Sequence, residues 1–181
     1  MKEILYSSCA SSLIKAVLLS KFLGDAFLKS KSSVNGSLFD SQQIDVDKLS
    51  SGYIYSNYQR HYGHIHGFAN SNFNYFKRQI NLAFRHQKED KYPLLEKVVQ
   101  DSLEHSLEYI MAKCTNEGRK FDSYYNQVNA EVHANKGFSR LQPVEDKVLI
   151  GYIQTEHHTG DLILSFFVKR FPGFAISLIV E

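Results

Sequence analysis

The chain has no tryptophan, two cysteines and three prolines in its 181 residues. Each shortage excludes something. Cys9 and Cys114 are too few and too far apart for a disulfide framework, so they read as reduced thiols of a cytoplasmic protein. No apolar run approaches the 18 or so residues that cross a bilayer, and no lipid anchor is expected. The start is no secretory leader either, because Glu3 is acidic, no sustained apolar run precedes Cys9, and Lys15 interrupts the later one. A glycine-rich phosphate loop and a Gly-x-Ser-x-Gly elbow are both missing. The net charge of +2 is too small to imply nucleic-acid binding unless the cations cluster.

What is present is an ordinary globular composition, 43% hydrophobic and 22% charged, with thirteen Phe and eleven Tyr. That suits one domain over residues 1–181 with an aromatic core, roughly 70% of the unfolded surface being buried at this size. Ile4–Tyr6 reads as a strand. A helix follows, capped by Ser11 or Ser12, with Leu13, Val17, Leu18 and Phe22 on one stripe and Gly24 as its stop. Residues 29–51 are polar, contain Asn35-Gly36, and read as a long, mobile connection anchored only by Leu38-Phe39. Ser56 or Asn57 then caps a short helix that Gly67 ends.

Asn70-Ser71-Asn72 caps a helix whose face is Phe73, Phe76, Ile80 and Phe84. Gln87–Lys91 is a charged break. Pro93 opens one long helix with Leu94, Leu95, Val98, Val99, Leu103, Leu107 and Ile110 on its stripe. Beyond an Asn116–Lys120 turn, Asp122 caps a helix with Tyr125, Val128 and Val132 buried, and Gly137 closes it in the left-handed conformation. Phe138–Pro143 and Val148–Ile153 form a hairpin around Glu145-Asp146. Thr159 caps a last helix that Pro172-Gly173 stops, and Phe174–Val180 is a terminal strand. Strands at both ends and helices between do not spell repeating βαβ units. They predict an α+β domain: a small, mainly antiparallel sheet of about four strands on five to six helices.

The polar residues concentrate in Glu131–Gly173. Glu131 and His133 are two apart, so on a helix they point about 200° away from each other and cannot share a metal. Glu156 and His158 share a face with Tyr152 if the strand continues, and His157 then falls with Ile153. A His beside a Glu suits acid–base chemistry as readily as a hydrogen-bonded helix-entry loop. Arg140 is the best residue for gripping an anion in a bidentate way. His61, His64 and His66 lack metal-ligand spacing; with Tyr53, Tyr55, Tyr58 and Tyr62 they read as an aromatic subcore or as a base-stacking surface with Arg60, Lys77 and Arg78. No metal and no cofactor is expected.

The run EVHANKGFSRL, then YIQTEHH, then FFVKRFPG resembles the C-terminal half of a bacterial family assigned to DNA metabolism and carried as a domain of unknown function. His133, Lys136, Gly137, Phe138, Arg140, Glu156, His157 and Arg170–Gly173 bear the resemblance. That family is found beside a radical-SAM protein of DNA repair or fused to uracil-DNA-glycosylase-like domains. This chain departs from it at His158, where Asp or Asn is usual, and at Phe166, where a His is frequent. The resemblance implies DNA as partner, with Lys136, Arg140, Lys169 and Arg170 on phosphate and His133, Glu156 and His157 lining an adjoining pocket. Two alternatives stand beside it: an enzyme using Glu156 and His157 on a nucleobase or nucleotide, and an accessory subunit of the radical-SAM or glycosylase partner. All of these require the last helix, the hairpin and the preceding helix to fold back together, bringing Arg140 and His157 around one dent.

Overall fold

The computed structural model describes every residue except 1, 25, 34–41, 66, 67, 69, 70 and 181. The expected anchor at Leu38-Phe39, the turn at Asn35-Gly36, His66 with its stop at Gly67, and the Asn70 cap lie outside the described residues. Two compact units emerge: residues 1–84 with 89–122, and residues 85–88 with 123–181.

In the first unit, β1 (Lys2–Tyr6) lies between β2 (Ala26–Ser30) and β3 (Gln42–Asp45), parallel to both. The crossover is α1 (Ala10–Leu23), which is buried all round from Leu13 to Leu19 and so shows no amphipathic stripe. Gly24 ends it at φ 63. Even Lys15 is buried there, its Nζ donating to the carbonyls of Val46 and Leu49. The segment read as a polar connection therefore carries part of β2 and all of β3. QQID is a short edge strand whose half-exposed face gives no apolar alternation.

The remaining helices of this unit are α2 (Ser51–Tyr62), α3 (Ser71–Ala83), α4 (Lys91–Glu104) and α5 (Leu107–Met111). The Phe73/Phe76/Ile80/Phe84 face is buried as expected. Helix α2 begins before Ser56 and stops at Gly63. The long helix after Pro93 is two helices, because the Ser106 hydroxyl accepts from the Tyr109 amide and starts a new turn. The Tyr6 hydroxyl donates to Glu96 at 2.6 Å, and burial raises the Glu96 carboxyl.

Helix α6 (Asn116–Phe138) crosses the division at Ser123. It begins earlier than Asp122 because the Thr115 hydroxyl accepts from the Gly118 amide, while Asp122 pairs with Lys113. Its buried stripe is Phe121, Tyr124, Val128 and Val132, so Tyr124 takes the place expected of Tyr125. The helix runs through Gly137, which has no positive φ.

In the second unit, β4 (Leu141–Glu145) pairs antiparallel with β5 (Val148–Ile153), and β5 pairs parallel with β6 (Ala175–Val180). Helix α7 (Gly160–Arg170) makes the crossover. Its Ile163 and Phe167 pack with Ile153, Leu141, Ile176 and Leu178. Gly151 sits where a Cβ would lie 2.7 Å from Leu141 Cδ2 and 3.0 Å from Leu178 Cδ2, so a larger residue there would make these two leucine side chains move apart over the sheet.

The protein is thus mixed α and β, with seven helices and two three-stranded sheets among the described residues. The single, mainly antiparallel sheet is corrected to one parallel and one mixed sheet. The chain carries no run of repeating βαβ units, but each sheet contains one parallel crossover, β1-α1-β2 and β5-α7-β6.

Asp47 supplies a check on the first unit. Burial works against its ionisation, but hydrogen bonds from Lys31, Ser12 and Ser7 outweigh it and hold the carboxyl down to about 2. A lowered folded value stabilises above the unfolded value and is lost as pH falls through the folded one. Urea unfolding between about pH 5 and about pH 2 should show Asp47→Asn losing less stability on acidification than wild type. Parallel curves would mean that the carboxylate contributes nothing.

Candidate functional site

The second unit is assembled around a carboxylate. Glu131 faces inward from α6 and accepts from the amide of Glu156 at 2.6 Å, from the amide of His157 at 3.2 Å and from the hydroxyl of Thr159 at 2.5 Å. Thr159 therefore stands at the head of α7 without capping it by its side chain. The amides released where β5 ends at Ile153 find their acceptor on another helix, which fixes the loop between strand and helix.

Residues 85–87 meet the same loop in reverse order. Arg85 accepts from the His158 amide through its carbonyl, donates to the His158 carbonyl, and pairs through both guanidinium nitrogens with Asp161. The hydrogen bonds from Arg85, opposed by some burial, hold the Asp161 carboxyl below its usual range. The His86 ring lies 4.6 Å from that of His157, and Gln87 donates to Glu156 at 2.5 Å.

His86 is almost wholly buried, stacked on Tyr124 at 3.8 Å with the planes 2° apart. Its Nδ1 accepts from the Lys88 amide, so Nε2 carries the proton that Gln127 Oε1 receives at 3.2 Å. His157 is 5% exposed, and its Nδ1 is buried with no hydrogen-bond partner. Glu156 and His157 are neighbours in the chain whose side chains part company: the carboxylate is exposed on Gln87 and the imidazole buried on His86. His133 is exposed on α6, on a different side from Glu131, as their spacing demands. Among the described residues no three His, Cys, Asp or Glu side chains are grouped to hold a metal ion.

The predicted phosphate ligands all belong to this unit. Lys136 Nζ stands 5.2 Å over the Phe166 ring, one turn before Arg170 on α7. Arg170 and Lys169 are exposed at the helix end, where cations suit its dipole. Arg140 is exposed just ahead of Leu141, which faces Gly151, whereas α7 leads into Ala175, which faces Val148. Those positions are three residues apart on β5, about 10 Å along the strand.

A cleft of about 350 Å³ opens between Asn135, Phe138, Ser139, Tyr152, Ile153 and Gln154. Phe138 and Ser139 lead to Arg140, and Gln154 leads towards His157, yet neither the arginine nor the imidazole lines it. The hairpin and both helices do come together.

A family model for a domain of unknown function, DUF4130, matches residues 89–179, half of the chain. The chain belongs to the DUF4130 family. Neither a curated protein nor a solved structure matches it. The DUF4130 match takes in Glu131, Glu156–Thr159, the cleft and all four cations, but Arg85, His86 and Gln87 stand just ahead of it. Gln87 opens the expected charged break, and no local pattern at Arg85 or His86 announces a partner seventy residues away. Gln127 and Tyr124 gave no signal either.

If Glu131 organises the DUF4130 loop, Glu131→Ala should lower the unfolding free energy by roughly 2–3 kcal/mol, the range for hydrogen bonds to a charged group. Glu131→Gln, which keeps one acceptor oxygen, should lose less. Urea titration measures both, and wild-type stability in the alanine variant would refute the role.

Proposed function

We propose that this protein binds nucleic acid and serves DNA metabolism, with Lys136, Arg140, Lys169 and Arg170 meeting phosphate. The observation that carries this reading is the freedom of those cations. Among the described residues none of the four has a carboxylate partner, which they share with Lys48, Lys77, Arg78 and Lys147, but the proposed four fall within the 131–173 segment and its helix ends, whereas Lys15, Lys21, Lys29, Lys31, Arg85, Lys97, Lys113 and Lys120 stand in ion pairs. The four stand on separate elements of one unit, on α6, ahead of β4 and at the end of α7, which suits a polymer of phosphates better than one small anion. The resemblance of the 131–173 segment to DNA-metabolism proteins points the same way.

Acid–base catalysis by Glu156 and His157 has less support. His157 is buried and Glu156 is turned away from it, so no substrate atom reaches both. Docking as an accessory subunit on a radical-SAM or glycosylase-like partner has one observation in its favour. Tyr152, Val168, Ile179 and Val180 are exposed apolar residues of the second unit.

Anisotropy with a labelled DNA duplex tests the first reading. Four phosphate contacts give a plot of log affinity against log salt a slope of about −3 to −4. Lys169→Gln with Arg170→Gln should flatten it by about 2. A flat plot, or no binding at low salt, refutes the assignment.

A further inference from the structure

Two aromatic rings stand open beside the cleft of the second unit. Phe138, at the end of α6, is 85% exposed, and Tyr152, on the outer face of β5, is 58% exposed. Leaving a phenyl ring in water forgoes the burial that drives the rest of the fold. Here both rings line the same cleft, with Ile153 and Gln154 beside them.

The cleft is stiff. Asn135 donates through Nδ2 to the carbonyls of Glu131 and Gln154, and its Oδ1 accepts from the Ser139 hydroxyl. That side chain ties the last turn of α6 to the end of β5, so the rings are held by bonded backbone. The Gln154 side chain is exposed at the rim, and Arg140 follows Ser139 directly. The volume of about 350 Å³ is at the lower end of the range for small-ligand sites, about 300–1,000 Å³.

We propose that this cleft takes one nucleobase of a single strand, stacked on Phe138 and Tyr152, with the Gln154 amide at its polar edge and Arg140 on the adjoining phosphate. The assignment rests on the reading of this protein as a nucleic-acid binder and adds what it recognises. Bases in a duplex have both faces covered by their neighbours, so only an unstacked base offers a face to a side chain. Stacking on exposed aromatics tolerates any base, and an amide can meet either a donor or an acceptor edge. The cations alone would not discriminate single strands from duplex; the rings would.

The test compares a short oligothymidylate with an abasic strand of equal length, by anisotropy, on the full chain. Wild type should bind the thymidylate strand roughly tenfold more tightly. Phe138→Ala and Tyr152→Ala should each remove most of that preference while leaving abasic binding and the salt slope unchanged. Arg140→Gln should weaken both strands and reduce the slope by about 0.7. Thermal unfolding checks each variant; one that melts early is replaced by Phe138→Leu or Tyr152→Leu, which keep bulk without a ring. Equal affinity for the two strands, or intact preference in both ring variants, overturns the base cleft while the phosphate assignment stands. No binding to either strand overturns both.

Discussion

The second unit depends on the carboxylate of Glu131. A strand that ends and a helix that begins leave amides without acceptors, and water is the usual remedy. Here β5 ends at Ile153, α7 begins at Gly160, and Glu131 on α6 takes the amides of Glu156 and His157 with the hydroxyl of Thr159. A charged acceptor makes each bond stronger than a neutral one would. One side chain thereby ties the helix before the hairpin to the helix after it. The same two helices also meet where Lys136 of α6 rests on Phe166 of α7.

Residues 85–87 close the loop from its other side. Arg85 holds both the backbone of His158 and the carboxylate of Asp161, so the start of α7 is gripped from two directions. His86 fills the space between Tyr124 and His157 as a neutral, fully bonded ring. His157, the residue that most invites a catalytic reading, is buried against it. The side chains turned to solvent are instead Phe138, Arg140, Tyr152, Lys169 and Arg170. Those are the side chains on which the proposed recognition of nucleic acid rests.

Sequence reasoning reached the elements whose signals are local. The Phe73/Phe76/Ile80/Phe84 face, the hairpin around Glu145-Asp146 and the helix before Pro172-Gly173 all show their own periodicity or punctuation. It failed where the deciding contact is remote or where a pattern is silent. QQID pairs with β1 without alternating, and α1 is apolar all round, so neither revealed the parallel sheet they build. The buried tyrosine is Tyr124 rather than Tyr125, on the face it shares with Phe121, Val128 and Val132, in a helix that starts at Asn116, six residues before Asp122. Glu131 was seen as a polar residue flanking the core, and its opposition to His133 was legible from helical spacing alone. Its partners were not, since they are main-chain amides, which every residue but proline carries.

Amide hydrogen exchange at Glu156 and His157 tests the central claim most directly. Tied to a carboxylate, both amides should exchange slowly in the native protein. In Glu131→Ala they should open to rates near those of free loops while the amides within β5 stay protected. Protection at Glu156 and His157 that survives the substitution would contradict the account, for the loop would then be held by something other than Glu131.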